Sequence, residues 1–204
     1  MNNIRKNGKN AIKVITGGIG SGKSYVCKML AEHGIQIYDC DAHAKRLMME
    51  DVGIRHSLTA LIGSEAYNED GTLNKAAVAC FLLQGEENNE DINSIVHPVV
   101  ARDFLSSGLT WMESAIYFEA GFGKELSFAG APYVICVAAP LEVRLQRIMQ
   151  RDGISREKAK EWIDRQMPQE EKVALADFTI YNDGNDTRLL QQIEVLLRCV
   201  IILI

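Results

Sequence analysis

Short apolar runs alternate with segments of helical periodicity along most of this chain. Five runs are predicted to be β-strands, because each is short, apolar and rich in β-branched or aromatic residues. They lie at residues 11–16, 35–38, 114–118, 133–138 and 178–181. The fourth run is almost wholly apolar, which is typical of a central strand in a parallel sheet.

The segments between these runs predict helices. Residues 24–33 carry apolar side chains on one side and are followed by Gly34, a common helix terminator. Residues 42–105 are mostly helical in pattern, with a turn at 68–71 and a break expected at His97–Pro98, since proline restricts the residue before it. Three later helices are predicted, over residues 141–150, from a cap at Ser155 to about residue 167, and from residue 187 onward.

Strands that alternate with helices predict an α/β fold in which a parallel five-stranded sheet is flanked by helices. Ligands of such folds bind at the carboxyl ends of the strands, and the chemically reactive residues of this chain cluster at those ends. We expect one domain over residues 11–204 and a frayed tail over residues 1–10. The apolar residues 199–204 are compatible with the end of a helix or with a subunit contact.

Composition narrows the function classes. The chain has 204 residues, 47% of them apolar, and a net charge of −5, which argues against a nucleic-acid partner because such proteins usually carry a basic stripe. Its five cysteines are odd in number and form no paired motif, as expected of reduced thiols in a cytoplasmic protein. No secretory signal and no apolar run of about 18 residues occur, so no membrane partner is expected.

The strongest chemical signal is the glycine-rich stretch GGIGSGKS at residues 17–24, between a predicted strand and a predicted helix. It matches the phosphate-binding pattern GxxxxGK[ST] in full. Glycines let successive backbone N–H groups converge on an anion, and the helix N-terminus adds its positive dipole. Lys23 supplies a charge for the β- and γ-phosphates, and the hydroxyl of Ser24 is a ligand for Mg²⁺. Tyr25 stands where many such loops have a small hydroxyl residue, so its contribution is expected from the backbone N–H.

Three carboxylates are candidates for acceptor and metal chemistry. Asp39 and Asp41 follow the second predicted strand two residues apart and would face the same side of it. A kinase needs a carboxylate to orient the acceptor hydroxyl and take its proton, and a second is useful near Mg²⁺. For each aspartate the alternative is a cap on the following helix. Glu119 closes the third predicted strand, where it can contact Mg²⁺ through water, hold a basic residue, or be an ordinary strand-end charge.

Arginines recur after the fourth predicted strand. Arg144, Arg147 and Arg151 are spaced i, i+3 and i+7, so they share one helix face. Mobile arginines in such a position can clamp a transferring phosphoryl group and exclude water. The alternative is a solvated helix face, which weighs most for Arg144. Two interpretations of His97 remain open, namely contact with a substrate phosphate and a role at the end of a helix.

Seven stretches can be quoted together: TGGIGSGKS (16–24), GIQIYDCDAHAKRL (34–47), DGTLNKAAV (70–78), INSIVHPVV (92–100), the strand ending in Glu119, RLQRIMQRDGISREKA (144–159) and ADFTIYNDG (176–184). In this order they resemble the bacterial dephospho-coenzyme A kinase family, and they span nearly all the chain after residue 10. The glycine loop alone is unspecific among kinases. The D-x-D, HP and MQRD segments in this order are much more specific.

The resemblance implies the reaction ATP + dephospho-CoA → ADP + CoA with Mg²⁺, at the ribose 3′-hydroxyl, as the last step of CoA biosynthesis. It also implies a P-loop nucleoside-kinase-like fold with a helical CoA-binding insert over about residues 42–105 and a lid over about residues 144–168. We expect a small-molecule substrate and a monomer or small homo-oligomer.

Roles for single residues follow from the same resemblance. It implies phosphate binding for Gly20, Ser21, Gly22, Lys23, Ser24 and Tyr25, the acceptor-side base for Asp41, lid positions for Arg147 and Arg151, and the loop near adenine for Asn182 and Gly184. We predict catalytic roles for Asp41, Lys23, Arg147 and Arg151, and substrate contacts for Asp39, His97 and Glu119. Two positions depart from the family, since AIYF at 115–118 replaces a Pro-Leu-Leu run and Tyr25 replaces threonine. Neither change removes a charged catalytic group.

Two rival functions are kept beside this one. The first is a kinase of the same architecture that acts on a nucleoside monophosphate or a sugar acid. The second is a nucleotide-dependent switch that hydrolyses ATP slowly. Against the switch, the chain lacks the base-reading motif N-K-x-D of GTPases, and its helical stretch at 42–105 suits substrate binding.

Overall fold

Five strands form one sheet with helices around it. The structure is a computed structural model that describes residues 11–85, 87–126 and 130–202, with side chains to residue 200. The strands are β1 (Lys13–Thr16), β2 (Ile37–Asp39), β3 (Trp111–Glu113), β4 (Tyr133–Ala138) and β5 (Phe178–Tyr181). Their order in the sheet is β2-β3-β1-β4-β5, and β1 pairs in parallel with both β3 and β4. The predicted α/β fold with a five-stranded parallel sheet is therefore confirmed.

Ten α-helices lie in the described ranges. They are α1 (Lys23–Glu32), α2 (Cys40–Glu50), α3 (Val52–Ile62), α4 (Lys75–Leu82), α5 (Glu87–Ser106), α6 (Phe122–Leu126), α7 (Leu141–Asp152), α8 (Arg156–Asp164), α9 (Gln169–Leu175) and α10 (Asp186–Ile202). A 3₁₀ turn at Ser64–Ala66 follows α3. Several helices begin at polar caps whose side chains accept a backbone N–H bond, including the predicted cap at Ser155, which binds the N–H of Lys158 at 3.2 Å.

The hydrophobic core of the sheet lies where α1 and α10 pack on it. Ile15 and Ile135 are paired in register on β1 and β4, so their side chains share one face, and both are fully buried. They pack with the buried residues Val26, Leu30, Val137, Ile180, Leu189, Ile193 and Leu196. This packing holds β1 and α1 together, and the loop between them is the predicted phosphate site.

The third strand was predicted in the wrong place. β1 pairs with Trp111, Met112 and Glu113, whereas residues 115–121 form turns. The apolar run at 114–118 resembles a strand in composition, but the buried Lys172 binds the carbonyl oxygen of Ala115 at 2.8 Å. A side chain from another element thus satisfies a backbone group that a strand would have paired with a neighbouring strand.

The break predicted at His97–Pro98 is also wrong, because α5 continues past Pro98. Proline inside a helix costs about 3 kcal/mol through a lost hydrogen bond and a steric clash. Buried residues lie on both sides of it, among them Val96, Val100 and Phe104. Their packing outweighs the local cost, which periodicity alone could not reveal. The helices α6 and α9 were not predicted.

The chain divides into two compact units. One contains the described residues up to Tyr38 together with the described residues from Leu109 onward, and it holds most of the sheet. The other, Asp39–Gly108, is the helical unit of α2 to α5, with Leu47, Ile54 and Leu58 among its buried residues. The predicted tail at residues 1–10 lies outside the described residues, and α10 extends through the start of the apolar end to Ile202.

Candidate active site

The loop at residues 17–24 joins β1 to α1 and turns on glycines in the left-handed region. Gly20 has φ 79°, and Gly22, the residue before α1, has φ 86° and ψ 25°. Residues with a Cβ rarely adopt this conformation. No side chain caps the start of α1. The helix therefore begins without a side chain that would compete with a bound anion for its first N–H groups.

Two side chains hold the carbonyl side of this loop. Arg147 donates through Nη1 to the carbonyl oxygens of Gly20 and Ser21, both at 3.2 Å. Asn182 donates to the same oxygen of Ser21 at 3.1 Å and accepts from Nη2 of Arg147 at 3.0 Å. A trans peptide points its C=O and the following N–H in opposite directions. The N–H of Gly22 therefore lies on the other side of the loop, as a phosphate nest requires, whereas the N–H of Ser21 donates to the carbonyl oxygen of Gly18 at 3.1 Å within the turn.

Glycine is also needed where Arg144 and Asn182 approach the loop. A Cβ added to Gly18 would lie 2.6 Å from Nη2 of Arg144, and one added to Gly20 would lie 2.7 Å from the backbone oxygen of Arg144. A Cβ on Gly22 would lie 2.1 Å from Nδ2 of Asn182. Such separations are too short for real Cβ contacts. The glycines thus permit both the turn and its close support from α7 and the segment after β5.

Lys23 forms an ion pair with Glu113, the last residue of β3, and the two side chains are only 11% and 13% exposed. Ser24, the predicted Mg²⁺ ligand, follows Lys23 and is exposed. The ion pair brings the carboxylate of Glu113 to the phosphate-binding lysine, a contact that sequence reasoning missed. The signal was available, because an acidic residue at the carboxyl end of a parallel strand marks the ligand edge. The misplaced third strand directed attention to Glu119 instead.

Tyr25 turns its side chain toward the start of α10. Its hydroxyl donates to Oδ1 of Asp186 at 3.4 Å, and the negative charge of Asp186 is the main cause of the raised pKa of Tyr25. Its backbone N–H donates to the carbonyl oxygen of Gly22 at 3.0 Å. The phosphate contact predicted for this N–H stays a prediction, and it would share the donor with that bond.

Asn182 and Gly184 follow β5. Asn182 is 4% exposed, and its N–H donates to the carbonyl oxygen of Ala138 at 2.8 Å. Gly184 is exposed and has φ 96°. The predicted place of both residues near adenine remains a prediction. The structure adds a contact that the sequence did not indicate, since Asn182 binds the phosphate loop itself.

The three arginines of α7 have different surroundings. Arg144 is 5% exposed, so the solvated-face alternative is wrong for it. Burial lowers the pKa of Arg144. Arg147 is partly buried and bound to the loop. Arg151 has a side chain that is 61% exposed and pairs with Asp152 at 2.7 Å. The three arginines share one predicted helix face, but two of them lie against the loop and the third faces solvent.

Glu119 holds a basic residue, which was one of its three predicted roles. Its Oε1 lies 2.6 Å from Nζ of Lys172, which is fully buried, and accepts the N–H of Met167 at 3.2 Å. These bonds join the turn after β3 to α9 and to the residues just before it. Lys172 was not predicted, because nothing in a local polar pattern distinguishes a buried lysine from an exposed one.

The helical unit contains three predicted site residues. Asp39 caps α2, accepting the N–H of Ala42 at 2.9 Å. The cap position is therefore filled by Asp39, and the capping alternative for Asp41 is wrong. Asp41 lies in the first turn of α2 and is exposed. His97 is half-buried in the middle of α5. The substrate contacts predicted for Asp39 and His97 and the catalytic role predicted for Asp41 stay predictions.

A family model described as dephospho-CoA kinase matches residues 11–187. This chain belongs to the dephospho-CoA kinase family. A dephospho-CoA kinase of Bacteroides fragilis (strain YCH46) is 37% identical over 194 residues, which cover 91% of this chain and 92% of the relative. The resemblance predicted from the sequence is confirmed.

Solved structures share the fold of this chain. A crystal structure of a Thermus thermophilus protein is similar with a TM-score of 0.76 and 31% identity, covering 93% of this chain and 98% of that one. A dephospho-CoA kinase from Campylobacter jejuni has a TM-score of 0.63 at 22% identity, covering 92% of this chain and 95% of that one, and it supports the fold alone. Within the described ranges, no helix has the combined length and apolar character that crossing a bilayer demands.

Proposed function

We propose that this chain transfers the γ-phosphoryl group of ATP to the ribose 3′-hydroxyl of dephospho-CoA, giving ADP and CoA. The observation that carries the proposal is the phosphate loop. The carbonyl oxygens of Gly20 and Ser21 are bound by Arg147, and that of Ser21 also by Asn182, so that the N–H of Gly22 faces the opposite side. Membership of the dephospho-CoA kinase family supports the acceptor. A triphosphate is the donor that such a nest and its lysine fit best.

The residues beside the loop fit Mg²⁺ as well. The hydroxyl of Ser24 and the carboxylate of Glu113 are oxygen donors, which Mg²⁺ prefers, and Glu113 already lies against Lys23. When bound, the ion would neutralise charge on the phosphate oxygens. Lys23 would leave Glu113 for the β- and γ-phosphates, and this exchange would free the carboxylate. Ser24 and Glu113 are the residues that we propose to hold the metal.

Asp41 is proposed as the acceptor-side base. Its exposed carboxylate would take the proton of the 3′-hydroxyl as that oxygen forms a bond to the γ-phosphorus. The bond from the γ-phosphorus to the bridging oxygen of the β-phosphate breaks, and ADP leaves. Arg151, with its exposed guanidinium, would exchange Asp152 for the transferring phosphoryl group, while Arg147 keeps the loop in shape.

The remaining assignments belong to the same proposal. Gly20, Ser21, Gly22 and Tyr25 would contact the phosphates, and Asn182 and Gly184 would lie beside adenine. Asp39, His97 and Glu119 would act on the acceptor side, with the helical insert as the CoA-binding part and residues 144–168 as the lid. A cytoplasmic location and a monomeric or small homo-oligomeric state are proposed from the family.

The decisive experiment measures ADP release with ATP, Mg²⁺ and one acceptor at a time, with CoA formation followed by mass spectrometry. Dephospho-CoA should stimulate ADP release and be converted to CoA, whereas nucleoside monophosphates and sugar acids should not stimulate it. Lys23→Met is the matched negative control. Stimulation by another acceptor, or slow ATP hydrolysis that no acceptor changes, would contradict the proposal in favour of one of the rivals.

A further inference from the structure

Ile19 occupies a position that the phosphate-loop pattern leaves open to any residue, yet both of its backbone groups are bound by side chains. Its N–H donates to Oε1 of Gln166 at 2.8 Å. Its carbonyl oxygen accepts from Nε of Arg144 at 2.9 Å. Its side chain packs against a cluster that includes Ile148 of α7 and Ile163 of α8. One residue of the loop is therefore anchored at three points to the segment after β4.

The two bonds act on the two peptide groups that flank Ile19. Arg144 holds the carbonyl of Ile19, so the N–H of Gly20 must point to the opposite side of the loop. Gln166 holds the N–H of Ile19, so the carbonyl of Gly18 points away from Gln166, and it accepts the N–H of Ser21 at 3.1 Å. Together these bonds set the direction of successive peptides in the turn that opens the phosphate nest.

Arg144 is a costly residue to place there. It is 5% exposed, and burial lowers its pKa by more than the negative charge of Glu170 raises it. A buried guanidinium is unfavourable unless other groups offset the lost hydration. The carbonyl oxygen of Ile19 does so in part, and a bound polyphosphate would do so further through the field of the charge. The position of Nη2 beside Gly18 puts the guanidinium against the loop backbone.

We propose that Arg144 and Gln166 are positioning residues that hold the peptides on either side of Ile19 in the phosphate-binding shape before nucleotide arrives. The inference rests on the proposed function of the loop and adds residues that the motif does not contain. Preorganisation of this kind strengthens binding of any ligand that fills the nest, because the ordering cost has already been met. It should therefore act equally on ATP and ADP.

The test compares Arg144→Met, Gln166→Met and the double variant with the native protein. Methionine keeps side-chain length and removes the donor or the acceptor. Arg198→Met, at an exposed position on α10, is the matched control. Dissociation constants for Mg·ADP and for Mg·ATP without acceptor are measured by calorimetry, and folding is checked by thermal melting.

Each single variant should weaken both nucleotides about 5- to 20-fold, as expected for a lost hydrogen bond in a charged site, and by the same factor for ATP and ADP. In the double variant, the dissociation constants should rise by less than the product of the two single effects, because both residues act on one turn. Arg198→Met should bind as the native protein does. If Arg144→Met does not fold, Gln166→Met alone must show the equal loss.

Three results would overturn the inference. Unchanged nucleotide affinity in both single variants would show that the bonds serve only folding. A loss confined to ATP would make Arg144 a direct contact of the γ-phosphate. Strictly multiplicative losses in the double variant would exclude joint action. Failure of the native protein to bind ADP would overturn the proposed function as well, whereas normal native binding with unaffected variants overturns the inference alone.

Discussion

Single residues in the phosphate loop serve the nest and its support at the same time. Gly22 adopts φ 86° and also makes room for Nδ2 of Asn182, which a Cβ would meet at 2.1 Å. Any substitution at this position would therefore impose a backbone strain and a steric clash together. The glycine at this position thus reflects the surroundings of the loop as well as the conformation of the loop itself.

Asp41 offers the sharpest test of the chemistry at this scale. Asp41→Asn removes the base and keeps the size of the side chain. We expect turnover to fall about 10²- to 10⁴-fold, the usual contribution of general acid–base catalysis, while the dissociation constant for ATP changes little. Steady-state rates and calorimetry on the same preparation give both quantities. Equal losses in turnover and ATP affinity would remove Asp41 from this role.

Cys136 should be chemically silent in the folded protein. It is fully buried on β4, and burial raises the pKa of its thiol from 9.0 to about 11. Because the thiolate is the reactive form, iodoacetamide at about pH 8 should modify the exposed Cys80 and leave Cys136 intact until urea unfolds the chain. Peptide mass spectrometry measures both sites. Comparable labelling of Cys136 and Cys80 in the folded protein would contradict this prediction.

The same thiol links stability to pH. Its pKa in the folded protein lies above the unfolded value, so the folded state retains the proton more strongly. The contribution of this protonated thiol to the free energy of unfolding is fully present below about pH 9 and is lost as the pH rises towards about 11. Cys136→Ser would not test this cleanly, because it buries a stronger hydrogen-bonding group. Cys136→Ala should instead flatten the loss of stability over this alkaline range, as measured by urea denaturation.

At the scale of elements, the turn after β3 depends on a lysine from α9. Lys172→Met should remove the bonds from Nζ to Glu119 and to the carbonyl oxygen of Ala115. We expect the free energy of unfolding to fall by about 2–4 kcal/mol, because a buried pair that loses one partner leaves the other polar groups unsatisfied. Urea denaturation provides the measurement.

A lysine on the neighbouring helix is the matched control for that variant. Lys160 forms an ion pair with Asp164 at 2.5 Å, but both side chains are about half exposed to solvent. Lys160→Met should therefore change the free energy of unfolding by no more than about 0.5 kcal/mol. Similar losses in the two variants would show that burial does not distinguish them and that the role given to Lys172 is wrong.

The elements also show where local patterns succeed and fail. β4 and β5 were predicted with the bounds that the structure has, because each is a compact apolar run ended by nearby proline or polar residues. The strand at Trp111–Glu113 was missed, because the stronger apolar run follows it and is engaged by Lys172 instead. Similarly, α5 passes through Pro98 because the residues packed around it compensate for the proline.

At the scale of the whole molecule, the two compact units should respond differently to nucleotide. Hydrogen exchange with and without Mg·ADP is expected to show slower exchange in residues 18–26 and in the segments that hold the loop, near Arg147 and Asn182. Amides of the helical unit Asp39–Gly108 should change little, because the nest and its supports all belong to the other unit. Equal protection of both units by ADP would contradict this prediction.

The sequence by itself determined the α/β class, the phosphate loop and the dephospho-CoA kinase family, because these depend on short contiguous patterns. Only the tertiary structure decided which distant residues serve the loop. Arg144 lies 125 residues from Ile19, and Asn182 lies 161 residues from Ser21. Glu113 reaches Lys23 only because β3 and β1 are neighbours in the sheet. Local periodicity carries no information about such pairings, since strand order and burial arise from packing of the whole chain.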